Sequence, residues 1–238
     1  MKILSWNILH GGGKRSGEIL AYIRQQQPDI VTLQEFRHNA SSAALLEGLA
    51  AMGLDEQFAP PTPSARDNTL IIAANSPFQA QTFPKTAPPP ARAIRAFFPD
   101  LGELNLLAAH LPQKKKQPPY LHALLDLDPA LRRENSLIIG DLNIGIPFED
   151  SQTRSFEHHH LFRQLLNQGW VDAWRSRNPG KQTFSWLSTQ HRNGFRYDHA
   201  LASPPLDPRI ETIDYDHQVR EHGLSDHSSL ILTFTHSY

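Results

Sequence analysis

A chain of 238 residues with 39% hydrophobic and 20% charged side chains has an ordinary globular balance and enough length to bury a full core, which excludes a disorder-dominated chain. Its net charge of -1, with 13 histidines counted neutral, provides no global field to attract a polyanion, so a nucleic-acid partner would have to be met by a local basic surface. Cysteine is absent, which removes disulfides, thiol nucleophiles and zinc-thiolate sites and leaves histidine and oxygen as metal ligands.

The first predicted strand, residues 3–8, has no long apolar run of the leader type around it, and Gly11-Gly12-Gly13 breaks it. Residues 16–27 carry Ile19, Leu20 and Ile23 at helical spacing, and Pro28-Asp29 stops that helix before a strand at 30–34. An Ala- and Leu-rich helix is expected over 41–52, then a Pro-rich turn at 60–66 and a strand at 70–74. Four prolines make 84–91 a loop, and strands follow near 94–98 and 104–109. The second half repeats the rhythm. A helix is expected at 121–131, a buried strand at 136–140 ending on Asp141, and a helix at 156–168 closed by Gly169. Short β-like runs at 183–186, 197–202, 210–215 and 229–234 complete the chain.

This alternation suits a single domain over 1–238, an α/β four-layer sandwich in which two mostly antiparallel sheets pack face to face with helices outside. No run approaches ~18 consecutive apolar residues, so a cytoplasmic protein without membrane contact is expected; a monomer is the default expectation.

Four segments, Ser5-Trp6-Asn7, Leu33-Gln34-Glu35, Gly140-Asp141-Leu142-Asn143 and Ser225-Asp226-His227, put carboxylates, amides or a histidine at or near the edge of an apolar run. A packed sheet can hold polar groups there at the rim of a cleft. Acid, amide and imidazole converging on one point are equipment for hydrolysing a phosphodiester with a divalent metal. His158-His159-His160 reads differently: three consecutive residues on a helix point three ways and cannot chelate one ion, so they mark a solvated helix start.

In order along the chain, these segments together with Gln27-Pro28-Asp29-Ile30, Gly169-Trp170-Val171-Asp172-Ala173, Thr183-Phe184-Ser185-Trp186, Arg196-Tyr197-Asp198 and Leu201-Ala202-Ser203 resemble the endonuclease, exonuclease and phosphatase superfamily nearly end to end. Within it they are most similar to the exonuclease III-type apurinic/apyrimidinic endonucleases. The resemblance implies Mg2+, with Mn2+ as the other candidate, held chiefly by Glu35, with Asn7 nearby and Asp226 contributing through water. It further implies that His227 touches the scissile phosphate, that Asp198 fixes the His227 tautomer, and that Asp141 orients or deprotonates the attacking water. Asn143 would donate to the phosphoryl oxygens as charge builds. Whether Asp141 or His227 is the base stays open on the residue types alone.

Two positions depart from that pattern. The superfamily branch usually has Asp or Asn two residues after the first Asn, where this chain has Leu9, and a Tyr where it has His110. A histidine there resembles the deoxyribonuclease I, sphingomyelinase and phosphatase branches, which place it at the leaving-group side. On the substrate side, Lys114, Lys115 and Lys116 follow His110 closely and could meet flanking phosphates. Arg37 resembles a DNA-backbone contact, Arg92 and Arg95 offer a weaker case, and Trp186 stands where the family places an aromatic ring against an abasic or flipped-out sugar. Trp6, Trp170 and Trp174 read as core.

The expected activity is therefore a Mg2+-dependent DNA phosphodiesterase acting in repair, on duplex DNA with an abasic or damaged site or on 3′ ends. The alternatives are a phosphatase or phosphodiesterase for lipid or small-molecule phosphates, a non-specific nuclease of the deoxyribonuclease I kind, and a nuclease fold kept as a binding module. Retention of the principal polar residues argues against the last.

Overall fold

The structure, a computed structural model, describes residues 1–84, 91–153 and 156–235. Its strands are β1 (Lys2–Asn7), β2 (Ile30–Phe36), β3 (Glu56–Phe58), β4 (Thr69–Ala74), β5 (Gln79–Thr82), β6 (Ala93–Phe98), β7 (Leu104–His110), β8 (Ser136–Asp141), β9 (Val171–Asp172), β10 (Trp186–Leu187), β11 (Gly194–Phe195), β12 (Asp198–Ala202), β13 (Ile210–Asp216) and β14 (Ser229–Phe234). The helices are α1 (Ser16–Gln26), α2 (Ala40–Ala50), α3 (Pro118–Leu125), α4 (His159–Asn167), α5 (Ala173–Arg177) and α6 (Gln218–Glu221).

Two six-stranded sheets form, ordered β13-β14-β1-β2-β4-β3 and β5-β6-β7-β8-β12-β9. Each is antiparallel except for one central pair, β1 with β2 and β7 with β8. Each parallel pair is joined through a helix, α1 or α3, as parallel strands require. Strand alternation sorts the side chains into three cores. Ile3, Ile30, Ile72, Leu106, Ile139, Ala200 and Leu232 meet between the sheets. Leu4, Trp6, Val31 and Leu33 face α1 and α2 through Ile19, Ile23, Leu45 and Leu49. Leu107, Ile138 and Leu201 face α3 and α4 through Leu121, Leu124, Phe162 and Leu165. The expected four layers are present. Trp6, Trp170 and Trp174 are buried.

Local chemistry sets the helix ends. Gln27 adopts a left-handed φ of 49° with its N–H on the Ile23 carbonyl before Pro28, and the Asn39 side chain caps α2 by accepting from Ser42. The helix expected at 121–131 is two elements. It begins earlier, at Pro118, and stops at Leu125, because Asp128 instead accepts from the Ala130 N–H and starts a 3-10 turn, Pro129–Arg133, in which proline supplies no helical donor. The helix expected from 156 starts at His159, since Phe156 is drawn into the outer core. His158 and His159 are half-buried and His160 exposed. Of the expected strand at 183–186 only Trp186 pairs, in β10 with β11. Most of the loop expected at 84–91 lies outside the described residues. Among the described residues no helix is long and apolar enough to cross a membrane.

One gradient positions everything that follows. Along the inward rows, apolar residues give way to polar ones toward one end of the sandwich: Ile3, Ser5, Asn7 on β1; Ile30, Thr32, Gln34 on β2; Leu106, Ala108, His110 on β7; Leu137, Ile139, Asp141 on β8; Ala202, Ala200, Asp198 on β12. Register aligns their ends, with Asn7 opposite Gln34, His110 opposite Asp141, and Asp141 opposite Asp198.

Candidate active site

At the end of β2 the pairing with β4 shifts between Gln34 and Phe36, and Glu35 takes a left-handed φ of 59°. A bulge breaks the alternation of faces, and here it aims the Glu35 carboxylate at the cleft. Leu9 and His10 are left-handed as well, with φ of 51° and 55°, conformations that cost an ordinary residue roughly 1 kcal/mol or more. They fold the chain after β1 back, so the His10 N–H donates to Glu35 Oε2 at 2.9 Å and His10 Nδ1 lies 2.8 Å from that oxygen. Asn7 turns its Nδ2 toward Glu35 Oε1 at 3.4 Å and Asp141 Oδ2 at 3.1 Å, while its Oδ1 accepts from the Leu9 N–H. The Asn7–Asp141 bond thus spans the two sheets.

Asp141 is the hub. Its Oδ1 accepts from the Asn143 N–H at 3.0 Å, and its Oδ2 faces His110 Nε2 at 3.7 Å and His227 Nε2 at 3.8 Å. Behind His227, Nδ1 is 2.8 Å from Asp198 Oδ2, and Asp198 is held by its N–H on Ser185 Oγ and by Tyr215 Oη, which donates to its carbonyl at 2.6 Å. A donor Nδ1–H toward Asp198 fixes the imidazole so that Nε2 looks at Asp141. Asn143, with a left-handed φ of 51°, spends one N–H of its Nδ2 on the Leu111 carbonyl, and its Oδ1 accepts from Gln113 at 2.7 Å. The second N–H of that amide is available to a ligand.

Burial and charge set the protonation states. Burial pushes the Asp141 carboxyl up to about 7 against the pull of His227 and its hydrogen bonds. For His227 burial opposes the cation, but Asp198 and Asp141 outweigh it and push the imidazole up to about 10. Burial carries His110 down to about 4, so it is neutral near pH 7. Glu35 is half-buried, yet His110 and the His10 N–H outweigh desolvation and hold it below the usual carboxylate range. At neutral pH the centre therefore contains one imidazolium, one neutral imidazole and a carboxyl group poised to exchange a proton.

The donor set fits a hard divalent ion. Glu35 Oε1 has one long contact, and a half-turn of the Asn7 amide would present its oxygen to the same place. Asp226 accepts from Trp186 Nε1 at 2.9 Å through Oδ2, while its buried Oδ1 has no hydrogen-bond partner among the described residues. Such an orphaned oxygen needs a cation or water. The charges of Asp226 and Glu35 both reach Arg15, which donates to the carbonyls of Ile8, Leu9 and Leu224 and ties the two loops together. A second grouping also exists, with ligand atoms of Asp141, Asp198 and His227 within 4.8 Å of one another.

Around this centre the other expected residues fall at different distances. Lys114–Lys116 form an exposed 3-10 turn, bracketed by Gln113 on Asn143 and by Gln117, whose Nε2 donates to the Leu142 and Asn143 carbonyls. Trp186 is half-buried and part of an aromatic run, 5.5 Å from Tyr197, whose ring lies 6.4 Å from His227. Arg37 is bound to Asn68 and His10. Arg92 has its charge felt at His110, whereas Arg95 bonds Asn105, at the far end of β7. Sequence reasoning passed over Arg15, Gln113, Gln117, Ser185 as a support and His10. The two glutamines four apart around the lysines were a readable signal; the others act through contacts between residues far apart in sequence.

Residues 4–227 match the Endonuclease/Exonuclease/phosphatase family. The exodeoxyribonuclease III of Haemophilus influenzae is 24% identical over 284 aligned positions, covering 98% of this chain and 100% of that protein. Among solved structures, an AP endonuclease from Archaeoglobus fulgidus superposes with a TM-score of 0.83 at 20% identity, covering 99% of this chain and 100% of the other. A 3′ phosphatase, NExo, from Neisseria, solved with a product DNA hairpin, superposes with the same TM-score, 0.83, the same 20% identity and the same coverage, 99% and 100%.

Proposed function

The chain belongs to the Endonuclease/Exonuclease/phosphatase family, and from that premise we propose that it is a divalent-metal-dependent DNA phosphodiesterase working in repair at abasic sites, at 3′ ends, or both. The observation that carries this reading is the convergence of Asn7, His110 and His227 on one oxygen of Asp141, with Asp198 behind His227. The enzyme is read as a cytoplasmic monomer, and Mg2+ or Mn2+ as the ion.

Glu35 would hold the ion, with Asn7 beside it and Asp226 supplying its unpartnered oxygen. When bound, the ion neutralises phosphate charge and acts as a Lewis acid on it. The chain's own groups do the rest. Asp141 accepts a proton from the attacking water, a role that suits a carboxyl held near 7. His227, cationic with its Nδ1–H on Asp198, has no lone pair to serve as base and instead stabilises charge on the scissile phosphate through Nε2–H. This reading resolves the choice of base in favour of Asp141. Asn143 adds its free amide N–H to a phosphoryl oxygen. His110, neutral and facing the same Asp141 oxygen, can return the proton on the leaving-group side. Trp186 offers a face to an unstacked sugar or base, and Arg37 and Lys114–Lys116 meet flanking phosphates.

His110 favours a second reading, a phosphatase or phosphodiesterase for small or lipid phosphates. The deciding experiment assays duplex DNA with one abasic site, intact duplex, single strands, a 3′-phosphorylated end and a generic phosphodiester, with and without EDTA, for the wild type and Glu35→Gln. DNA cleavage lost in EDTA and reduced at least ~100-fold by Glu35→Gln, on the order of 3 kcal/mol, is the expected result. Undiminished turnover in EDTA would overturn the metal reading, and hydrolysis confined to the generic ester would favour the second.

A further inference from the structure

Two residues after Asn7 the chain has Leu9, which offers no lone pair. The neighbouring His10 is exposed, yet its ring is brought to Glu35 by two consecutive left-handed residues, with φ of 51° at Leu9 and 55° at His10. Two such residues in a row are uncommon outside glycine, so the loop is held there by its contacts.

Those contacts are incompatible as hydrogen bonds alone. His10 Nδ1 lies 2.8 Å from Glu35 Oε2 and 2.9 Å from Arg37 Nη2. An imidazole nitrogen carries either a proton or a lone pair: it can donate to Glu35 or accept from Arg37, and not both. If Nδ1 keeps its lone pair, two electron-rich atoms face each other at 2.8 Å with a cation, Arg37, alongside. A metal ion resolves the same conflict. Two ligand atoms in neighbouring positions of a six-coordinate ion, each about 2.1 Å from it, are about 3 Å apart.

We propose that His10 is a ligand of the divalent ion, binding it through Nδ1 beside Glu35 Oε2. This rests on the metal-dependent reading above and deepens it. A nitrogen ligand is of little use to Mg2+, which takes oxygen, and of more use to first-row transition ions. The site is therefore selective for an ion such as Mn2+ over Mg2+. Arg37 is the resident cation of the metal-free pair and yields the position when the ion enters, freeing its guanidinium for a phosphate.

The test uses the metal alone. Mn2+ is titrated into the wild type, His10→Ala, His10→Asp and Glu35→Gln, with free Mn2+ followed by EPR, Mg2+ as competitor, and pulsed EPR reading coupling to imidazole nitrogen. Wild type should prefer Mn2+ over Mg2+ by at least ~tenfold and show the nitrogen coupling. His10→Ala should lose the coupling and ~tenfold or more of Mn2+ affinity, with Mg2+ affinity changed less than ~threefold. His10→Asp, which covers the case in which the alanine variant misfolds, should lose the coupling but bind Mg2+ as well as Mn2+. Mn2+ affinity and nitrogen coupling unchanged in both His10 variants, with binding lost in Glu35→Gln, would overturn the role of His10 and leave the metal reading standing. No binding of either ion to the wild type would overturn both.

Discussion

Asp141 is a carboxyl group from which the fold has withdrawn water without giving it a full counter-charge at contact distance, since the two imidazole nitrogens stand 3.7 and 3.8 Å away. Its pKa rises from the usual 3.8 to about 7, so between those values the folded protein holds a proton that the unfolded chain has released. Stability must fall with rising pH across that window, and the loss is complete above about 7. Asp141→Asn cannot ionise. In EDTA it should match the wild type in urea denaturation near pH 4 and exceed it at pH 8 by a few kcal/mol, since every tenfold change in proton affinity on folding corresponds to about 1.4 kcal/mol, while turnover drops at least ~100-fold. A stability difference that does not grow with pH would show that burial is not what perturbs this group. The residue itself was legible, because it ends a run of three buried aliphatic residues. That two histidines and an amide share one of its oxygens was not, since those partners are 31, 86 and 134 positions away in the chain.

At the scale of elements, the lysine turn is placed by glutamines rather than by its own charges. Gln113 and Gln117 fasten both of its ends to the segment after β8, so the exposed turn is anchored next to Asn143. Changing Lys114, Lys115 and Lys116 together to Ala should reduce the salt dependence of DNA binding by up to about three counterion equivalents, measured in an inactive Asp141→Asn background, and leave hydrolysis of a minimal phosphodiester nearly unchanged when tested in the active enzyme. An unaltered salt slope would move substrate choice toward small phosphoesters. The parallel pair β7–β8 carries a sharper constraint. Gly140 has φ of 134°, and a Cβ there would lie 2.0 Å from the Ala109 carbonyl oxygen. Gly140→Ala must push the strands apart one residue before Asp141. A loss of at least ~2 kcal/mol by thermal denaturation, with activity reduced below the melt, is expected. The strand was readable from Leu137-Ile138-Ile139; the requirement for glycine was not, because the clash is with a neighbouring strand. The break in the helix after α3 was open to reading in Asp128-Pro129, but the apolar spacing of Leu121, Leu124 and Leu131 masked it.

Across the whole molecule, buried Arg196 fastens the loop after β8, the start of α5 and the approach to β12 by binding Asp150 and Asp172 at once. Burial opposes both carboxylates, but Arg196 outweighs it and holds them below their usual range. Groups depressed in this way stabilise the fold above the ordinary carboxylate pKa and lose that contribution as pH falls through their lowered values. Arg196→Met leaves Asp172 buried without its guanidinium and Asp150 with Arg175, 2.8 Å away, as its remaining cation, which should cost about 3–5 kcal/mol at pH 7. In acid the orphaned Asp172 becomes protonated in the variant, so the deficit should narrow by pH 3.5; urea melts at the two values check it, and a constant deficit would mean that lost packing dominates. Arg196-Tyr197-Asp198 and Asp172 were legible only as parts of a recurring pattern. The layered architecture was plain from alternating apolar runs and helical periodicity, which are local properties, whereas a buried ion cluster is assembled from residues 22 to 46 positions apart and leaves no local trace.

Because the Asn7–Asp141 bond runs from one sheet to the other, the proposed reaction centre is a gauge of the gap between them. Asn7, Glu35 and His227 hang from one sheet, while His110, Asp141 and Asp198 hang from the other. The aliphatic rows beneath, Ile3 and Ile30 against Leu106 and Ile139, set how far apart the two groups stand. Trimming one methyl from that filling lets the halves settle closer, and adding one wedges them open, at a point that touches neither substrate nor ion. On the proposed reading, the apolar interior sets the rate as surely as the cleft does, and a chain would drift in speed over generations through substitutions that leave every polar residue of the cleft untouched.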